Sequence, residues 1–495
     1  MSNLRSGVMA RTGLGDLLGE AADGVVRFRT VPYATPPVGE LRFAPPAPPA
    51  AWKGVRDARA GGPIAPQPPS RLRMAMGEFE RVQSEDCLTL AIATPAVDNR
   101  RRPVIVWLHG GAYLSGAGSL DWYDGGPLAK AGDVVVVGVN YRLGPLGFLQ
   151  FPGLSDGMMG LHDMVAALRF VHDHIAAFGG DPGCVTLMGQ SAGGGAIMRL
   201  LDFSTTEDLF HRVIAQSAPL LPGPNEAEAT RRARRFMQLL EIDPDAVDAG
   251  ERLRTAPIEA LIAQQSVLAR ELSRFGSIEP AFPPCFDNYT PDYAERVARA
   301  AVARGVEMLT GSTREEMNAF FVADPAMADP DQAAVAEWFE ALAGSADAIE
   351  TYRRRRPGGT TRDLFGDLMT DYRFLLPSLD LAGRVTASGG RAFLYQFNWA
   401  GRNSPWKACH CVELPFAFGT LPAWNAPMLQ GLDHGEYVAL SATMMAAWSA
   451  FAHRGDPSLP ELAWPPYGVG RKTMCLGSVV GVMGDPAGVA WKVSS

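Results

Sequence analysis

The chain is poor in cysteine, in basic runs and in long apolar stretches, and each shortage excludes something. Six cysteines in 495 residues, with no CxxC pair, supply neither a disulfide framework nor a zinc ribbon and fit reduced thiols in a cytoplasm. Cys409-His410-Cys411 is a dense group of metal-binding residue types, but neighbours one residue apart point in different directions. No second Cys/His cluster completes four ligands, so no metal is expected. No run of about 18 apolar residues occurs, and the first twenty residues lack the continuous apolar core of a leader, which predicts a soluble, unexported protein that does not engage a membrane. Against 53 Asp plus Glu stand 45 Lys plus Arg, a formal net charge of −8 that offers no footprint for a nucleic-acid backbone. The densest basic run, Arg353 to Arg356, reads as the solvated end of a helix. With 47% apolar and 20% charged residues the composition is that of an ordinary globular protein, which excludes disorder and fibres.

What is present is concentrated in the first half. Val104 to Leu108 and Val134 to Val139 are continuous, mostly β-branched apolar runs, the mark of strands covered on both faces of a parallel sheet. Leu161, Val165, Leu168, Val171, Ile175 and Phe178 recur every three or four positions and predict an amphipathic helix ending at Gly179-Gly180. A strand, Val185 to Met188, follows at once, and Val306 to Thr310 and Arg391 to Phe397 read as further strands. Strand, helix and strand in this order predict an α/β fold: a mostly parallel sheet with helices on both faces. No repeat or polar linker divides the chain, so residues 1–495 are expected to form one domain, with an inserted helical cap from about Asn225 to Ala300. Leu440, Met444, Trp448 and Phe451 mark a late helix with a core-facing stripe.

Two segments match G-x-S-x-G, around Ser155 and around Ser191, and context chooses between them. Ser155 sits in a Gly/Pro-rich stretch. Ser191 follows the Val185–Met188 strand and precedes Ala192-Gly193-Gly194-Gly195-Ala196, the small residues that a crowded strand-to-helix turn requires. A serine hydroxyl needs a base to take its proton and N–H donors for the oxyanion it creates. His109-Gly110-Gly111-Ala112-Tyr113, directly after the Val104–Leu108 strand, is a glycine loop of the lipase/esterase kind, which makes Gly110, Gly111 and Ala192 the expected oxyanion hole. Among histidines after Ser191, His211 comes too early to leave room for an acid, and His453 lies in a helix terminus beside Arg454. His410, in a loop after a strand, is the expected base, with His434 as the alternative. Glu315 or Glu316, beyond the end of the Val306–Thr310 strand, is placed to orient the imidazole, and Asp367 and Asp371 compete on spacing alone.

These residues, together with Val31 to Phe43, Ser84-Glu85-Asp86-Cys87-Leu88 and Phe178-Gly179-Gly180-Asp181-Pro182, resemble the type B carboxylesterase family over nearly the whole length. That family includes bacterial p-nitrobenzyl esterases, animal carboxylesterases and cholinesterases. The resemblance implies the α/β-hydrolase fold and a Ser191, Glu316 and His410 triad, because Gly311 to Glu316 and His410 to Gly419 are similar to the segments that carry the family's acid and base. It also implies that Ser217 supports the acid and that Arg42 with Glu85, and Arg142 with Asp163, form structural ion pairs. The chain departs from the pattern at Gln190, where the family usually has Glu, at Met158 and at Ala218; Ala65 stands where Cys87 would find its disulfide partner.

The resemblance thus implies a cofactor-independent serine carboxylesterase whose partner is a small-molecule ester. A long-chain lipase and a non-catalytic binding protein of the same fold are the alternatives. Phe320, Phe321, Trp399 and Trp406 lie near the expected catalytic loops and are expected to line an apolar substrate pocket.

Overall fold

A strand made only of Val, Ile, Leu and Trp has no polar face to turn to water, so it has to be covered on both sides. The computed structural model bears this out for the residues it describes, 6–220, 223–285 and 292–486. Residues 1–5, within the stretch read for a leader, and 286–291, within the expected cap, lie outside the described residues.

In chain order the strands are β1 (Ser6–Thr12), β2 (Gly15–Ala22), β3 (Val25–Pro32), β4 (Val55–Asp57), β5 (Thr89–Thr94), β6 (Arg102–Leu108), β7 (Val135–Val139), β8 (Gln150–Phe151), β9 (Ser155–Asp156), β10 (Gly180–Gln190), β11 (Arg212–Gln216), β12 (Glu307–Thr313), β13 (Ala392–Phe397), β14 (Lys472–Leu476) and β15 (Gly481–Gly484). All but β8 and β9 join one sheet in the order β1-β2-β3-β5-β7-β6-β10-β11-β12-β13-β14-β15, with β4 beside β2. From β7 to β14 every neighbouring pair is parallel, and the flanking strands are antiparallel except β4, which runs parallel to β2. Alternation along β6 divides its side chains between two cores. Val104, Val106 and Leu108 join one, Ile105 and Trp107 the other.

The helix read from Leu161 to Phe178 is α-helical over Met159–His174 and tightens into a 3-10 turn, Ile175–Phe178, ended by Gly179 at φ +83°. The late helix runs His434–Arg454 with Leu440, Met444, Trp448 and Phe451 all buried. Ser155 lies on the small β8-β9 ribbon, away from any strand-to-helix turn of the sheet. Between β11 and β12 stand helices Glu226–Leu239, Ala249–Thr255, Ile258–Glu271 and Tyr293–Ala303.

Arg353 to Arg356 are not simply a solvated end. Arg353 pairs with exposed Glu350, but Arg355 reaches buried Asp371 at 2.6 Å and Arg356 reaches buried Asp367 at 2.8 Å. Those carboxylates belong to a segment distant enough in sequence that the basic run gave no sign of them.

Both expected ion pairs form. Arg42 Nη2 meets Glu85 Oε1 at 2.5 Å, and Arg142 donates through Nη2 to Asp163 Oδ1 at 2.7 Å and through Nε to Oδ2 at 2.9 Å. The second pair ties the loop after β7 to the Met159–His174 helix, with side chains 3% and 0% exposed. Asp163→Ala is expected to destabilise the protein by about 3–5 kcal/mol, because it leaves the Arg142 guanidinium buried without its counter-charge. Urea unfolding of the two proteins measures this, and a loss below about 1 kcal/mol would show that the pair is not integral to the core.

Candidate active site

The turn from β10 into the helix Ala192–Leu201 holds Ser191 at φ +55°, ψ −123°, a region that non-glycine residues rarely occupy. Crowding maintains it. A Cβ on Gly193 would lie 2.0 Å from the Leu108 carbonyl oxygen at the end of β6, so the small residues after Ser191 are required by close backbone approach. Ala192 is the first residue of the helix, where backbone N–H groups have no intrahelical acceptor. The glycine loop lies against this turn: a Cβ on Gly110 would come 3.1 Å from Ser191 Cβ and 2.7 Å from Gln190 Oε1. Gly111, at φ +104°, leaves no room for a side chain either, since its Cβ would meet the Ser115 carbonyl at 1.9 Å. His109 supports the loop by donating from Nδ1 to the Gly110 carbonyl at 2.7 Å, and its ring stacks on Tyr141; burial pushes its pKa down to about 4.

His410 and Glu316 are buried, at 1% and 0% exposure, and His410 Nδ1 lies 2.5 Å from Glu316 Oε2. Glu316 Oε1 accepts the Thr313 N–H at 2.8 Å, and the Glu316 carbonyl accepts the His410 N–H at 3.1 Å. With Nδ1–H donating to Glu316, Nε2 is the acceptor nitrogen. There the Gln190 amide donates at 3.1 Å, so the departure from Glu at this position places a neutral donor on the imidazole. Phe320 and Phe374 flank the ring at 5.5 and 4.9 Å between centroids.

The competing histidines and acids are elsewhere. His434 begins its helix in an exposed position, His453 bonds the Gly132 carbonyl, and His211 accepts the Val185 N–H. Asp367 and Asp371 are held by Arg356 and Arg355, and Glu315 accepts the Ala408 N–H and pairs with Arg314.

Ser191, Gly111, Ala192, Phe320 and Phe374 border one cavity of about 350 Å³. Of the four aromatics expected in it, only Phe320 is there. Phe321 stacks on Phe365, and Trp399 and Trp406 are buried in the core beneath the sheet, so these three are packing residues. Ser217 departs from expectation too. Its Oγ is buried without a hydrogen-bond partner among the described residues, and Thr313 takes the place at Glu316 that was expected of it.

Sequence reasoning also passed over Glu413. It is fully buried with neither carboxylate oxygen hydrogen-bonded among the described residues, and burial together with nearby Glu316 raises its pKa well above the ordinary range. The native protein therefore keeps this proton where the unfolded chain, with a Glu pKa of about 4.3, has lost it. The stability that Glu413 contributes is complete below that value and is lost as pH rises toward the raised native pKa. Glu413→Gln removes the titration. Between pH 5 and 7 the stability of wild type is expected to fall relative to the variant by up to about 1.4 kcal/mol per pH unit in paired urea titrations. A difference that does not change with pH would place an ionised carboxylate in the native core.

Cys409 and Cys411 are both buried, with thiol pKa values pushed up by burial; none of the six cysteines forms a disulfide among the described residues, and Cys87 borders the same small crevice as Ala65. No three His, Cys, Asp or Glu side chains gather as a metal site among the described residues, and no helix is long and apolar enough to cross a membrane.

Comparison with known proteins places the chain in a family. The chain is 37% identical to the phenmedipham hydrolase of Pseudarthrobacter oxydans over 93% of this chain and 92% of that one. It is 36% identical to the para-nitrobenzyl esterase of Bacillus subtilis (strain 168), over 96% of each. A crystal structure of a Geobacillus stearothermophilus carboxylesterase superposes with a TM-score of 0.85 at 34% identity, covering 97% of this chain and 98% of that one. Residues 6–477 match the model of the carboxylesterase family. The chain belongs to the carboxylesterase family and is a carboxylic ester hydrolase of the α/β-hydrolase fold.

Proposed function

We propose that Ser191 is the nucleophile of this esterase, His410 its base and Glu316 the acid that holds the base in register. Ser191 Oγ attacks the ester carbonyl carbon while His410 Nε2, turning from the Gln190 amide, takes the hydroxyl proton. The proton passes to the departing alkoxide, and the alcohol leaves an acyl-enzyme. Water then attacks the acyl carbon, gives its proton to His410, and the acid departs as the proton returns to Ser191. The N–H groups of Gly110, Gly111 and Ala192 hold the oxyanion in both halves. No metal or organic cofactor enters these steps. The observation that carries the assignment is the strained Ser191 at the cavity wall, in a site whose imidazole is fixed by Glu316 at 2.5 Å.

A cavity of about 350 Å³ is near the lower end of the ~300–1,000 Å³ usual for ligand sites and supports esters of small to medium acids over long-chain lipids. Six cysteines with no disulfide among the described residues support a reducing, cytoplasmic setting. The continuous sheet supports a single domain over the chain, with the helices between β11 and β12 as its cap. The test is hydrolysis of p-nitrophenyl esters from two to sixteen carbons, with intact-mass analysis after a fluorophosphonate probe. A single adduct on Ser191 and highest kcat/KM at short chains is the expected result. A maximum at the longest chains assigns a lipase instead, and no adduct on folded protein assigns a binding role.

A further inference from the structure

The cavity beside Ser191 carries a charge pattern that cleaving a neutral ester does not use. Among the described residues Arg71, Arg199, Arg232 and Arg373 line it against Glu228 and Glu279, in a chain of net charge −8. Arg232 pairs with Glu228 one helical turn away, and Arg199 donates to the Gly195 carbonyl. The other two cations are poorly matched. Arg71 spends its hydrogen bonds on backbone carbonyls, Nη2 to Ile278 at 2.9 Å and Nη1 to Glu279 at 3.5 Å. Arg373 is only 5% exposed, and its Nε makes no hydrogen bond among the described residues. Its ion pair, to the largely exposed Glu279, spans 3.8 Å, too far for a hydrogen bond.

A guanidinium taken from water without a fitted anion is costly, and two placed together repel. Arg71 is exposed, yet the protein packed around it and the neighbouring Arg373 push its pKa down to about 10. Burial lowers Arg373 as well. Arg373 lines the same cavity as Ser191, the next residue, Phe374, packs its ring on His410, and Asp371–Leu375 form a π-helical turn, a local widening common at functional sites.

We propose that this cavity selects esters bearing a carboxylate apart from the scissile bond, with Arg373 and Arg71 as its clamp. The planar guanidinium fork matches a planar carboxylate with two parallel hydrogen bonds, which a neutral ester cannot supply. This rests on the reading of Ser191 as the nucleophile. The anion can sit on the acid or on the alcohol part, so two substrate pairs are needed. On the acid side these are p-nitrophenyl hemiglutarate and p-nitrophenyl valerate. On the alcohol side they are 3-acetoxybenzoate and its methyl ester.

In wild type, kcat/KM for the charged member of at least one pair is expected to exceed that for the neutral member by about 10- to 100-fold. Arg373→Gln and Arg71→Gln are each expected to lower that ratio by about tenfold or more, and Arg373→Lys to retain part of it. Each ratio is taken on a single preparation, so a partly misfolded variant does not distort it. Neutral members hydrolysed as well as charged ones by wild type, or a ratio untouched by either Gln variant, overturns the proposal and leaves ester hydrolysis standing. Absence of activity on all four substrates, with no fluorophosphonate adduct on Ser191, overturns the underlying reading instead.

Discussion

Ser191→Ala is expected to lower kcat for p-nitrophenyl butyrate by about 10⁶-fold, with His410→Ala close behind. The two losses are not expected to add. In the proposed mechanism the imidazole acts on the serine proton, so once the hydroxyl is gone a base 1% exposed behind Phe320 and Phe374 has nothing to accept, and once the base is gone the hydroxyl stays un-ionised. The double variant should therefore be no slower than Ser191→Ala within about threefold, and it should keep about 10³–10⁴-fold over water from the oxyanion donors and binding. Multiplicative losses in single-turnover rates would mean that Ser191 and His410 act in separate steps. Folding is a smaller concern than usual, because the left-handed φ of +55° is a cost to the native state that alanine shares.

Legibility in the sequence followed the distance over which each feature is encoded. The central strands announce themselves because burial on both faces forbids polar residues, and β6, β7 and β10 stand where their apolar runs were read. Ser191 is legible for a similar reason. The turn that strains it needs small residues at Gly189 and Gly193, and those are its neighbours in the chain. The cavity wall has no such local signature: Arg71 and Arg373 meet only through the fold. Phe321, Trp399 and Trp406 were misjudged because a residue beside a catalytic loop is also beside the end of the sheet, where large apolar side chains fill the core. Glu413 reads as an ordinary acidic residue before a helix, and only burial makes it a neutral acid. Likewise nothing local marks that Glu316 is held by the Thr313 N–H at the strand end, while the Ser217 hydroxyl has no hydrogen-bond partner among the described residues.

That backbone donor gives Glu316→Gln an effect out of proportion to its size, a loss of about 10⁴-fold in kcat/KM. The carboxylate serves two donors, Thr313 N–H at Oε1 and His410 Nδ1–H at Oε2. A glutamine has one oxygen for these two places. A buried N–H left unpaired costs about 1–3 kcal/mol, so the amide oxygen stays with Thr313, which is fixed in β12, and the amide nitrogen turns to His410. Nδ1 must then accept and the imidazole proton moves to Nε2, the nitrogen proposed to take the serine proton. Nε2–H also confronts the Gln190 NH2 group, so the contact at 3.1 Å turns repulsive until the amide rotates to present its oxygen. Nitrogen chemical shifts of His410 should show the exchanged tautomer in the variant, and urea unfolding should move by less than the loss in rate implies. A wild-type tautomer with full activity would mean that Thr313 gives up its partner and that Glu316 serves only to shape the site.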